Sequence, residues 1–121
     1  RRTLTSLVLP GSVTNIGLAA FGGCPNLKQV EFKGTNLALP SNLFIECFSL
    51  EKVVFRGPVI SIGEWAFSGC PRLKEIHFTG PPPLLKGREI FKEADNFTIY
   101  YSCESDKWPD VFGGRPTRRS R

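Results

Sequence analysis

Apolar and polar residues in this chain fall into short bursts that recur. The bursts "LKQVEF" (27–32), "LEKVVF" (50–55) and "LKEIHF" (73–78) share the pattern L-x-x-V/I-x-F. Each ends in strict alternation, the period of a strand with one buried face. A glycine follows two residues later, at Gly34, Gly57 and Gly80, and supplies a turn. Upstream of each burst, Ile16, Ala20, Phe21 and Cys24 are spaced i, i+4, i+5, i+8, which predicts a short helical turn.

The recurrence is regular. Phe21, Phe44 and Phe67 are each 23 residues apart, as are Cys24, Cys47 and Cys70, then Leu27, Leu50 and Leu73. Further columns are Val30, Val53 and Ile76; Phe32, Phe55 and Phe78; and Ile16, Leu39 and Ile62. Projected backwards by 23, the register calls for Leu4, Leu7, Leu9 and Gly11, and all are present. Forwards, Ile99 and Tyr101 take the strand positions, while the Phe and Cys columns meet Ile90 and Glu93. A unit of this size cannot bury its own apolar side. Units must stack, each strand pairing in parallel with the next. Strands are expected near 4–9, 27–33, 50–56, 73–79 and 98–102.

This is a leucine-rich-repeat arrangement without the usual Asn or Cys after the strand, since Thr35, Pro58 and Pro81 stand there. With "LPGSVTNIGLAAFGGCPNL" (9–27) and "VISIGEWAFSGCPRL" (59–73), the pattern closely resembles the BspA-type leucine-rich-repeat family. The expected fold is an α/β repeat solenoid. Its right-handed coil carries a parallel sheet of about five short strands on the concave face and short helical turns on the convex side. The expected organisation is repeats over 1–80, a degenerate last repeat and C-terminal cap over 81–114, and a basic disordered tail over 115–121. In the cap, "SDKWPDVF" (105–112) can start a helix with Ser105 as N-cap, bringing Trp108 and Phe112 over the last coil. Nothing equivalent precedes Leu4, so the first coil offers an edge for end-to-end self-association.

Charge changes the picture little. The net charge is +5, but Arg1, Arg2, Arg115, Arg118, Arg119 and Arg121 supply six of the 16 basic residues. The remaining 10 face 11 acidic residues, so the body is close to neutral and no specific nucleic-acid partner is expected. No apolar run approaches the roughly 18 residues of a membrane span. The chain has no signal-peptide pattern and opens on "RRTLTSLVLP", already inside a patterned segment, so it reads as an excerpt of a longer protein.

The cysteines are the first candidates for chemistry. Equivalent positions in neighbouring coils lie about 4.8 Å apart. A straight row of Cys24, Cys47 and Cys70 does not supply the tetrahedral ligand set that zinc requires. Their parallel Cβ vectors also disfavour a disulfide. They are expected as a buried structural ladder; Cys103 lies outside it with no evident partner. His77 is the only histidine. Alternation turns it outward, and the adjacent coils offer Val54 and Tyr100, neither a nucleophile nor an acid. No catalysis, metal or cofactor is expected. A sequon at Asn96-Phe97-Thr98 matters only in a eukaryotic secretory protein, and Thr98 falls in a predicted strand.

The outward strand positions form a grid. Its centre is Val8, Glu31, Val54, His77 and Tyr100. One flank is Ser6, Gln29, Lys52, Glu75 and Thr98; the other is Pro10, Lys33, Arg56, Thr79 and Ser102. The candidate binding residues are Glu31, Lys33, Lys52, Val54, Arg56, Glu75, His77 and Tyr100, whose mixed apolar and charged character suits protein recognition. The plain alternative is a solvated sheet surface. The family resemblance implies a non-enzymatic protein at the cell surface or outside the cell, adhering to host or matrix proteins. The rival readings are an intracellular interaction scaffold in the cytoplasm and an anionic-ligand binder acting through the arginine tail.

Overall fold

A computed structural model describes residues 3–102 and 107–120. These described residues form nine strands: β1 (Ser6–Leu9), β2 (Gln29–Phe32), β3 (Leu37–Leu39), β4 (Lys52–Ile62), β5 (Glu75–Thr79), β6 (Leu84–Leu85), β7 (Thr98–Ser102), β8 (Val111–Phe112) and β9 (Arg115–Arg119). The main sheet runs β1-β2-β4-β5-β7-β9-β8. Its first five strands pair in parallel in the 23-residue register: Leu7, Val30, Val53, Ile76 and Ile99 stand side by side. Alternation explains each of these strands. Val30, Phe32, Val53, Phe55, Ile76 and Phe78 point inward and are at most 2% exposed. Burying one such side chain is worth about 1.5–3 kcal/mol, and the stack repeats that gain coil after coil.

The expected connecting segment is a second short strand. β3, the last part of β4 and β6 pair in parallel, bringing Leu39, Ile62 and Leu85 into one row. β4 is long because it serves both rows, and it shifts register between Val54 and Pro58 to do so.

Helical turns do not form; among the described residues the chain is all-β. The apolar spacing that predicts a helix is satisfied by consecutive tight turns instead. Two positions per coil carry positive φ: Ala19, Asn42 and Trp65 in the first column, and Gly23, Glu46 and Gly69 in the second. A left-handed residue every few positions is incompatible with an α-helix. Alternate N–H groups are also drawn away to the next coil: those of Ala19, Phe21 and Gly23 donate to Ser41, Leu43 and Ile45, and those of Asn42, Phe44 and Glu46 to Glu64, Ala66 and Ser68. The turn side is thus cross-linked between coils, much as the strand side is.

Two rows of phenylalanines fill the interior. Phe21, Phe44, Phe67 and Phe91 stack at centroid separations of 5.6, 5.4 and 5.8 Å. Phe32, Phe55 and Phe78 stack at 4.9 and 5.3 Å. The fourth coil departs from the strict period. Phe91, not Ile90, continues the Phe row, and Ala94, not Glu93, continues the cysteine column, so both run one residue late. The extra residue enters just after Leu85, which still pairs with Ile62 in the 23-residue step. One residue is lost again before Ile99, so β7 returns to register.

The C-terminal end differs from expectation in two ways. No helix forms over 107–112, and Ser105 lies outside the described residues, as does Cys103. Residues 115–119, expected as a disordered tail, form β9, which pairs in parallel with β7 and antiparallel with β8. Gly113 and Gly114, both at positive φ, make the two-residue hairpin turn between β8 and β9. Trp108 does close the core. It is 6% exposed, donates from Nε1 to the Gly80 carbonyl at 2.9 Å, and stacks on Tyr101 at 5.2 Å. Phe112 meets it edge-on at 5.1 Å. At the other end β1 lies on the edge of the sheet, with Leu7 and Leu9 only half-buried.

Candidate functional site

The solvent face of the main sheet is built by the residues that alternate with the core. Register aligns Val8, Glu31, Val54, His77 and Tyr100 down its centre, and Ser6, Gln29, Lys52, Glu75 and Thr98 along one flank. The other flank is interrupted. Thr79 pairs with Ser102 as expected, but the shift in β4 sets Thr79 beside Pro58 rather than Arg56. Lys33 falls just past β2 and is exposed.

One ion pair and one hydrogen-bonded pair order this face. Arg56 reaches across to Glu31, Nε to Oε2 at 2.7 Å. That hydrogen bond, with the guanidinium charge and a smaller contribution from Lys33, holds the Glu31 carboxyl below its ordinary pKa. His77 Nε2 lies 2.7 Å from Glu75 Oε1, and its ring stacks on Tyr100 at 4.8 Å. Lys52 and Val54 stand between the two pairs, and with Val8, Gln29, Glu31 and Arg56 they line a shallow depression of about 310 Å³.

A larger depression, about 790 Å³, opens at the C-terminal half between Glu75, His77, Tyr100 and β9. Its far wall is Thr117, Arg118, Arg119 and Ser120. These residues were assigned to a tail by sequence reasoning and missed as part of the face. Arg118 stands in register beside Tyr100, and the Arg119 guanidinium lies 5.9 Å from the Tyr101 ring centre. Ser120 donates through its N–H and its hydroxyl to the Tyr101 carbonyl, at 2.8 and 3.1 Å, and the Thr117 hydroxyl donates to Pro109. Arg115 belongs to the framework instead, donating to the Phe97 carbonyl at 2.8 Å. A signal was available: Val111-Phe112-Gly113-Gly114-Arg115-Pro116 is a two-residue Gly-Gly hairpin pattern.

The His–Glu pair resembles part of a catalytic relay, but the Thr117 and Ser120 hydroxyls lining the same depression donate to carbonyls rather than to His77. The thiols lie elsewhere. Cys24, Cys47 and Cys70 are buried in one column, and the Cys47 and Cys70 thiols donate to the Phe21 and Phe44 carbonyls at 3.0 and 3.2 Å. Burial, reinforced by the neighbouring cysteine, pushes Cys47 up to about 11 and Cys70 up to about 12. Neither is a nucleophile near neutral pH. Among the described residues no group of His, Cys, Asp and Glu is placed to hold a metal ion. Asn96 of the sequon is exposed, just ahead of β7.

The fold and this face define a parallel β-solenoid with a patterned sheet surface. The chain matches the family model described as BspA type Leucine rich repeat region, in six copies over residues 1–103. It belongs to that family, and its leucine-rich-repeat architecture is a scaffold suited to binding proteins. No curated protein matches the chain, and no solved structure matches it either. Among the described residues no helix is long and apolar enough to cross a membrane.

Proposed function

We propose that this chain is a non-enzymatic protein-binding domain whose interface is the solvent face of the main sheet, within a larger cell-surface or secreted adhesion-type protein. The observation that carries this reading is the continuity of the face. One central column runs through Val8, Glu31, Val54, His77 and Tyr100, and aromatic, aliphatic and paired charged groups are interleaved along it. A rigid sheet that holds such groups in register loses little conformational entropy on binding. Lys33, Lys52 and Arg56 supply charge at the rim, where it steers encounter and register more than it adds affinity. The surface location rests on the family likeness. The free cysteines fit a cytoplasmic scaffold as well, but burial alone is enough to keep them reduced.

The test places a photo-crosslinking amino acid either at Val54, on the face, or at Leu84, which is 61% exposed in the second strand row. Each version is offered purified host-matrix proteins and, separately, a cytosolic extract. Adducts formed from position 54 with matrix proteins are expected. Adducts from position 84 alone would move the interface off the face, and adducts with cytosolic proteins alone would make the chain an intracellular scaffold.

A further inference from the structure

We propose that the C-terminal half of the sheet face is a recognition site for an acidic peptide segment, with Arg118 as its principal anchor. This deepens the protein-binding reading and rests on it. The argument begins with charge. The two carboxylates of the face are already engaged, Glu31 by Arg56 and Glu75 by His77, each at 2.7 Å. Among the described residues no carboxylate lies within ion-pair distance of Lys52, Arg118 or Arg119. The face therefore carries a surplus of cations, and Arg118 extends that surplus to the end where β9 joins the sheet.

Order comes next. Arg118 is presented by a strand paired on both sides, not by a loose tail. The hydrogen bonds of Thr117 and Ser120 fix the backbone from which it projects. A guanidinium suits a planar carboxylate, because its fork can offer two parallel N–H bonds at once. Beside it, the stacked Tyr100 and His77 rings make a flat apolar floor within the 790 Å³ depression. Aromatic floor and cation together match a segment that alternates acidic and apolar residues.

Spacing favours a peptide over a nucleic acid. Lys52 lies on β4 and Arg118 on β9, three strand steps apart and two residues apart along the strands, roughly 16 Å at the usual spacings. An extended peptide covers that distance in about five residues. Carboxylates spaced that way reach both cations and step over Glu75. A nucleic-acid backbone, charged at every phosphate, would meet the Glu75 carboxylate on the way.

The test is fluorescence anisotropy at low and physiological salt, with a fluorescein-labelled peptide carrying Glu at positions one and five and Phe between them. Its Gln counterpart and a short oligothymidylate serve as comparison probes. The Glu peptide is expected to bind, more weakly as salt rises, and Arg118→Glu is expected to weaken it at least about tenfold. Arg72→Glu, an equal charge change at an exposed site off the face, should leave binding unaltered. An unchanged melting temperature and protected cysteines establish that the Arg118 variant is folded. The proposal fails if the Gln peptide binds as well, if Arg72→Glu matches Arg118→Glu, or if the oligothymidylate binds as tightly and responds to Arg118→Glu. Those outcomes leave the general reading standing as long as crosslinking from position 54 persists.

Discussion

The middle coils and the last one solve the same packing problem differently. From Phe21 to Phe78, strands, turns and aromatic rows all advance together by 23 residues. In the last coil the strand keeps that step, while the turn side runs a residue late through Phe91 and Ala94. The pairing of β7 cannot slip by one residue, because that would turn Ile99 outward and Tyr100 into the core. The turn side has no such alternation, so it absorbs an insertion by moving the extra residue into a bend. The end also stops the array. The short β8–β9 hairpin and Trp108 cover what would otherwise be an open edge, whereas β1 is left as an edge strand.

Truncating one ring in each region gives the largest effect. Phe55 is sandwiched between Phe32 and Phe78, so Phe55→Ala should cost about 4 kcal/mol in urea unfolding; Trp108→Ala, at the end of the row, should cost about 3 kcal/mol. A larger loss from the terminal ring would mean that the cap, not the middle, holds the array together.

The glycines at the start of the turn sharpen the comparison. A Cβ on Gly63 would lie 2.6 Å from the Ser41 nitrogen, and one on Gly87 2.6 Å from the Glu64 Cα. Both approaches are to backbone, so Gly63→Ala and Gly87→Ala should each cost about 1–3 kcal/mol. Equal losses would show that the displaced coil is packed as tightly as the regular one. A harmless Gly87→Ala would show that the extra residue has loosened it.

A third contrast is titration of the thiol column, which ends at Ala94. The folded pKa values of Cys47 and Cys70 are raised from 9.0 to about 11 and about 12. The stability they contribute is therefore fully present below about pH 9. Above that the unfolded chain loses these protons first, and stability falls progressively towards pH 11–12. Denaturation midpoints measured from pH 7 to 11 should decline, and a variant with Ala at both positions should decline less. Thiol labelling of the native protein at neutral pH should be slow at all three ladder cysteines. Rapid labelling of all three would contradict a closed core.

How much was legible follows from what repeats. The L-x-x-V-x-F bursts and the strict spacing dictate the strands, their parallel register, the inward phenylalanines and cysteines, and the outward column from Val8 to Tyr100. All of these depend on alternation, which one strand of sequence carries by itself. Three things depended on neighbours. Ile16, Ala20, Phe21 and Cys24 have helical spacing, yet their N–H groups bond to the next coil, a partner invisible in any single unit. Arg115 to Arg119 is polar and basic throughout, so nothing in its hydrophobic pattern marks a strand; it becomes one because β7 offers an unpaired edge and Gly113-Gly114 returns the chain beside it. The composition of the sheet face followed from that pairing. The local pattern determined which residues face solvent, but only the folded edge decided that Arg118 stands beside Tyr100 among them, because backbone hydrogen bonding is indifferent to side-chain polarity.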